Sequence, residues 1–401
     1  MSVLKKFAHN RVVGLGKAIT KFLPDRVPVT FVGREATSEL CEAIAATGPR
    51  QLGIVTDEGL IAAGIVGRVE AALDAAGVPY TVFSGVQPDP TVTQVEEGLA
   101  QLTAKSCDAI LAVGGGSPID TAKVIAAAAT NPGPIQKLEG TMKVRKPTLP
   151  LFALPTTAGT GSEATLAAVV SDPQTHEKKF ILDPKLLPAM AALDPTLMTG
   201  LPPHITAATG MDALTHAVES VLARTATPQT EAWARTAIKA IFPSLPRAFT
   251  QGDDLVARKS MALASFYAGL AFTRTSVGYV HAMAHTFGAY YGTPHGLGNA
   301  IALVSVLEFS LEAAAPRMAM MADWLGISAD GMSERERAQA FIVAVRELSA
   351  SIEIPSKLAA LQTNDVPAIA KQVVSEAHMN YPVPRYMVQG ECEALLKGLL
   401  P

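Results

Sequence analysis

The sequence is poor in cysteine: Cys41, Cys107 and Cys392 stand far apart among 401 residues, without a CxxC pair. That spacing excludes a disulfide framework and a thiolate metal site, and it fits a reducing cytoplasm. Charge of one sign is also missing. The 33 Lys and Arg face 36 Asp and Glu, a net of −3, so no basic field exists to hold nucleic acid through counterion release. Long apolar runs are lacking as well, and none approaches the roughly 18 residues that a membrane span needs. The N-terminal stretch MSVLKKFAHNRVVGLGKAITKFLP has neither the unbroken apolar stretch nor the cleavage site of a secretory signal. It places Leu4, Ala8, Val12, Leu15, Ile19 and Phe22 on one helical face, opposite Lys6, Lys17 and Lys21. Residues 1–27 are therefore expected to form a helical extension, packed on the protein itself or resting on a partner or membrane surface.

What is present is apolar chain. With 49% hydrophobic residues the sequence is far from disordered, and its length exceeds one typical core, so two domains are expected. From Pro28 to about Asp194 short β-like runs alternate with helical stretches: PVTFVG, QLGIVTD, YTVFSGV, DAILAVGGG, LPLFALPTT, TLAAVVSD and MAALDP. Nearly continuous apolar strands alternating with helices predict an α/β domain over residues 28–200, with a mainly parallel sheet covered on both faces. After Leu201 the period changes to that of helices, over roughly 204–223, 228–242, 254–291, 297–325, 333–352 and 366–378. Residues 201–401 should be an all-helical domain.

Two loops in the first half carry the marks of a nucleotide site. The run DAILAVGGGSPIDTAK puts a strand directly before Gly114, Gly115, Gly116 and Ser117, and a helix beginning near Pro118 after them. Glycines let backbone N–H groups approach phosphate oxygens, and a helix N-terminus adds free donors with positive partial charge. A tight turn without a ligand is the plainer alternative, and the spacing is not GxGxxG. After LPLFALP come Thr156, Thr157, Ala158, Gly159, Thr160, Gly161 and Ser162, hydroxyls and glycines at a strand's carboxyl end, suited to a ribose or phosphate or to a capping turn. Asp57 closes the strand GIVTD. Its carboxylate is placed either to accept both hydroxyls of an adenosine ribose and repel a 2′-phosphate, or to cap a helix.

Histidine placement is the sharpest signal. Of eight histidines, His281, His285 and His295 fall in the 15 residues HAMAHTFGAYYGTPH, where chance placement predicts about 0.3. His281 and His285 lie four apart, on one helical face. Gly292, Thr293 and Pro294 then break the helix and can return His295 towards it. Upstream, GMDALTHAVES sets Asp212 and His216 at the same spacing. One carboxylate and three imidazoles suit Fe²⁺, Zn²⁺ or Ni²⁺ better than Ca²⁺ or Mg²⁺. The segment is not HExxH, so peptide hydrolysis is not expected. Phosphate-binding turns beside a transition metal point to alcohol or aldehyde redox with a nicotinamide.

The segments GGGSPIDTAK, PTTAGTGSEAT, ATGMDALTHAVES and GYVHAMAHTFGAYYGTPHGLGNAI, taken in order, resemble the iron-containing (group III) alcohol dehydrogenases, a family that holds lactaldehyde reductases and propanediol dehydrogenases. The resemblance runs from about Pro28 to the C-terminus. It implies that Asp212, His216, His281 and His295 bind the metal, Fe²⁺ first, with Zn²⁺ or Ni²⁺ also suited. It makes His285 an additional active-site histidine near substrate and nicotinamide. It further implies cofactor contacts from Gly115, Gly116, Ser117, Asp120, Thr156, Thr157, Thr160, Lys179 and Leu197, and from Asp57 a preference for NAD over NADP. Asp89 in QPDP stands where many members carry Asn. The implied reaction passes a hydride between the carbinol carbon of a small primary alcohol and the nicotinamide, in a cleft faced by both domains of a cytoplasmic homodimer or higher homo-oligomer. Dehydroquinate synthase-like lyases share the architecture but take a phosphorylated substrate, and windows 210–220 and 279–300 here contain neither Lys nor Arg. The same motifs also suit a glycerol or diol dehydrogenase of this superfamily, and a non-catalytic scaffold could keep the fold while lacking the activity.

Overall fold

The computed structural model describes residues 26–172 and 178–401; the expected N-terminal helix lies outside them but for its last two residues. Two compact units emerge. The first contains the described residues up to Leu201, together with Gly252–Phe266. Its elements run β1 (Val29–Val32), α1 (Ala36–Thr47), β2 (Leu52–Val55), α2 (Glu58–Ala62), α3 (Ile65–Ala75), β3 (Tyr80–Phe83), α4 (Val92–Ala104), β4 (Ala109–Gly114), α5 (Gly116–Thr130), β5 (Gly140–Thr141), β6 (Leu151–Pro155), β7 (Ala167–Ser171), β8 (Lys178–Leu182) and β9 (Met190–Leu193).

Six of these strands form one sheet in the order β1-β9-β6-β4-β2-β3, every pair parallel. The alternation of side chains explains why β4 reads as apolar throughout. Ile110 and Ala112 join a core with Val55, Phe83, Val95 and Ile125 on one face, while Ala109, Leu111 and Val113 join Leu40, Ile44, Leu73 and Phe152 on the other. A sheet buried on both sides leaves no polar face to alternate with. The winding reverses between β2 and β4, since β3 lies on one side of β2 and β4 on the other. That reversal opens a crevice at the carboxyl ends of these strands. A second, three-stranded sheet, β5-β8-β7, is mixed: β7 and β8 are antiparallel.

The remaining helices are α6 (Pro203–Leu222), α7 (Pro228–Thr250), α8 (Leu255–Thr275), α9 (Tyr279–Tyr291), α10 (His295–Leu325), α11 (Glu334–Ser351), α12 (Val366–Asn380) and α13 (Gln389–Gly398). Apart from the first part of α8, they make up the second unit. Two boundaries differ from the sequence expectation. Helix α7 does not stop at 242 but continues through Pro243 and Pro246, because Ile241, Leu245 and Ala248 stay fully buried on its core face, and packing offsets the lost backbone bonds. The stretch expected as one helix over 254–291 is two, parted at Ser276, whose φ of 71° cannot continue a helix. Helix α10 is long and apolar enough to cross a membrane by length and composition. Its most apolar 18-residue window is nevertheless 61% buried, against α6, α9 and α11, so the apolar surface serves the unit's own core.

Candidate metal centre and nucleotide loops

In the second unit, three helix segments bring one donor group together. Helix α6 carries Asp212 and His216 one turn apart. Gly292 closes α9, Pro294 turns the chain, and His295 becomes the first residue of α10. Gly296 is what allows the approach: a Cβ there would sit 2.4 Å from the carbonyl oxygen of Ala208 on α6. The result is a group in which Asp212, His216, His281 and His295 each offer an atom within 4.8 Å of the others. The first three are buried. Asn299, one turn beyond His295 and fully buried, donates to Asp212 Oδ1 at 2.7 Å and holds that carboxylate in place. The rings of His216 and Phe272 stack with centroids 4.0 Å apart.

The chemistry of this group fits a divalent transition metal. His281 Nε2 is buried and has no hydrogen-bond partner, whereas its Nδ1 lies 2.6 Å from Glu219 Oε2. Burial, with the neighbouring imidazoles second, holds His281 well below the usual histidine range, which keeps it neutral with a lone pair to offer. Burial pushes Glu219 up to about 8, opposed by the backbone N–H groups of Gly278 and Val280. With those two donors and Nδ1–H all aimed at it, the carboxylate form is the one the geometry holds. An orphaned imidazole nitrogen inside a set of three histidines and one aspartate is a metal-type site.

His285 stands beside this group and not in it. Its ring centroid is 5.3 Å from that of His295. Its Nδ1 lies 2.7 Å from Glu376 Oε1, which also accepts from Tyr381 Oη at 2.5 Å. Sequence reasoning missed Glu219, Asn299 and Glu376. Glu219 was visible as the residue seven after Asp212, two turns along one face, and Asn299 as the residue four after His295. Glu376 is 91 positions from its partner, and no local pattern marks it.

In the first unit, the expected cofactor residues gather at the carboxyl ends of β2, β4 and β6. Helix α5 begins at Gly116, two residues earlier than expected, with Gly115 as N-cap and no side chain capping it. Its first N–H groups thus remain free for an anion. The loop after β6 lies against this turn: Thr156 N–H donates to Gly114 O at 3.0 Å. A Cβ on Gly116 would meet Thr160 Cγ2 at 2.9 Å, and one on Gly115 would meet Thr157 Oγ1 at 3.1 Å. Asp57 N-caps α2, its Oδ1 accepting from Leu60 N–H at 2.9 Å.

Three further residues expected at the cofactor have protein partners or core packing of their own. Asp120 Oδ2 accepts from Val169 N–H at 3.0 Å and its Oδ1 is 3.6 Å from Lys123 Nζ, so this carboxylate ties α5 to β7. Lys179 lies on β8 in the small sheet, 3.8 Å from Glu139. Leu197, in the turn directly after β9, is 2% exposed within the hydrophobic core.

A glycine turn at the switch point of a parallel sheet and an Asp/His₃ donor group in a helical bundle define the class, an enzyme that joins a nucleotide cofactor to a divalent metal. Residues 28–195 match the family model of the iron-containing alcohol dehydrogenases, and 206–400 that of the same family's C-terminal part. The chain is 38% identical to the NAD-dependent methanol dehydrogenase of Bacillus methanolicus over 88% of its length and 93% of that protein. It is 38% identical to lactaldehyde reductase of Escherichia coli over 86% of its length and 91% of that protein. The crystal structure of a 1,3-propanediol oxidoreductase superposes with a TM-score of 0.90 at 38% identity, covering 93% of this chain and 98% of that one. The chain belongs to the iron-containing alcohol dehydrogenase family, and its activity is that of an alcohol or aldehyde oxidoreductase.

Proposed function

We propose that this chain interconverts a small primary alcohol and its aldehyde with NAD, using a divalent metal held by Asp212, His216, His281 and His295. The observation that carries the reading is the four-donor group to which His281 belongs with a buried, unpartnered Nε2. A cation bound there, Fe²⁺ in keeping with the family name and Zn²⁺ or Ni²⁺ by ligand type, supplies Lewis acidity towards the substrate oxygen.

The chain's own residues do the rest. His281 stays neutral through burial, and Asn299 fixes the direction of Asp212. His285, with Nδ1 engaged by Glu376, holds or passes the hydroxyl proton. In the first unit the N–H groups of Gly115, Gly116 and Ser117 meet the pyrophosphate, and the hydroxyls of Thr156, Thr157 and Thr160 line the neighbouring loop. Asp57 receives the ribose hydroxyls, so NAD is preferred over NADP. Asp120, Lys179 and Leu197 are the further cofactor contacts that the family likeness implies. The nicotinamide dependence in the Bacillus methanolicus relative's name supports the cofactor, and the three free thiols accord with a reducing cytoplasm. The active species is a homodimer or higher homo-oligomer.

Metal analysis of the purified protein, combined with NADH formation over a panel of short alcohols and the reverse assay with aldehydes, tests the reading. His281→Ala should lose bound metal and nearly all turnover while retaining its circular dichroism spectrum. An active, metal-free His281→Ala protein would sink the metal assignment.

A further inference from the structure

We infer that Glu219 is a positioning residue for metal binding: one carboxylate both starts helix α9 and turns His281 so that its Nε2 faces the donor group. The inference rests on the metal reading above.

Helix α9 opens at Gly278 without a side chain of its own to cap it. Glu219, on α6, supplies the acceptor from across the bundle. Its Oε2 accepts from Gly278 N–H at 2.8 Å and its Oε1 from Val280 N–H at 2.9 Å, satisfying two of the orphan donors of a helix N-terminus. The third donor is the His281 imidazole, with Nδ1 at 2.6 Å from Oε2. An acceptor at that place selects the Nδ1–H tautomer. The lone pair then belongs to Nε2, which has no hydrogen-bond partner of its own and lies 4.0 Å from Asp212 Oδ1. A carboxylate behind a ligating histidine also raises the basicity of the ligand nitrogen. The geometry requires glycine at 278, since a Cβ there would sit 2.7 Å from Glu219 Oε1. Glu219 thus sets the position of the helix, the direction of the ring and the identity of the free nitrogen together.

Glutamine at 219 retains one acceptor but puts an NH₂ group against an N–H of the helix start, so the carboxamide cannot reproduce all three bonds. The test uses Co²⁺-loaded protein, with metal affinity read from the cobalt absorption bands during competition with a chelator. Glu219→Gln should bind Co²⁺ roughly 10- to 100-fold more weakly than wild type. Gly278→Ala, which displaces the same carboxylate without removing it, should lose affinity in the same direction. In a His281→Ala background, emptied of metal on purification and then titrated with excess Co²⁺ to read its residual weak affinity, Glu219→Gln should cost nothing further, because the ring through which it acts is gone. Unchanged Co²⁺ affinity in both single variants would overturn the inference and leave the metal reading intact. An equal loss with and without His281 would also overturn it, making Glu219 a part of the fold alone. A wild-type protein that takes up no Co²⁺ would overturn the metal reading and this inference with it.

Discussion

At the scale of single residues, chemistry is divided by which nitrogen or oxygen is already engaged. His281 and His285 share a helix face, yet the first has a buried free Nε2 inside the donor group and the second stands beside it, held through Nδ1 by Glu376. A fourth imidazole on the metal would close the position that an alcohol needs, whereas an imidazole near it can exchange the hydroxyl proton with solvent. His285→Gln should therefore keep stoichiometric metal and lose turnover by roughly 10²-fold or more, with an altered pH profile. Metal lost in proportion to activity would make His285 a ligand, and unchanged kinetics would make it packing. Asp57 presents a similar division. Its Oδ1 caps α2, which leaves the other oxygen for a ribose hydroxyl. Asp57→Gly removes the like charge that disfavours a 2′-phosphate, and glycine is itself a tolerated N-cap, costing only a few tenths of a kcal/mol. The ratio of kcat/KM for NADP to that for NAD should rise in this variant while its Tm stays close to wild type. A wild-type enzyme that works better with NADP would count directly against the assignment.

At the scale of elements, legibility followed the strength of the local pattern. The strands β2, β4 and β6 were readable because a sheet covered on both faces demands uninterrupted apolar runs, and each of the three supplies side chains to both cores. Strand β8 was not, because Lys178, Lys179, Phe180, Ile181 and Leu182 mix charged and apolar residues in a strand where only Ile181 is buried. Helix α1 is silent for a different reason: no side chain caps it, so its start carries no signal. The Asp/His₃ donor group was legible from two four-residue spacings and one glycine-proline break, all local features. The residues that orient it were not, since Glu219, Asn299 and Glu376 act between elements, and one-dimensional spacing does not report which helices will meet. Asp120, marked by family likeness alone, has its Oδ2 engaged by Val169 N–H of β7, and burial raises its pKa against the pull of Lys123.

At the scale of the whole molecule, the two kinds of ligand-holding residue belong to different compact units. The four residues proposed to hold the metal lie with Glu219 in the helical unit; the glycine turn, the threonine loop and Asp57 lie in the sheet unit. A ligand that binds only the native state stabilises it by RT ln(1 + [L]/Kd), about 4 kcal/mol at a thousandfold excess over Kd, and that gain appears in the part of the chain whose opening releases the ligand. Chelating the metal should therefore speed amide hydrogen exchange in α6, in α9 and in the first turns of α10, while leaving β4 and α5 near their holo rates. Adding NAD should do the reverse, slowing exchange at Gly115, Gly116 and Ser117 and along the loop from Thr156 to Gly161, with little change in α11 or α13. Because multidomain chains need not unfold in one step, the two effects should also separate in a calorimetric scan, each ligand moving its own transition. Hydrogen exchange measured residue by residue with and without chelator decides the matter: a uniform loss of protection through both units on metal removal would mean that the metal holds the whole molecule together, and the assignment of one ligand to each unit would fail.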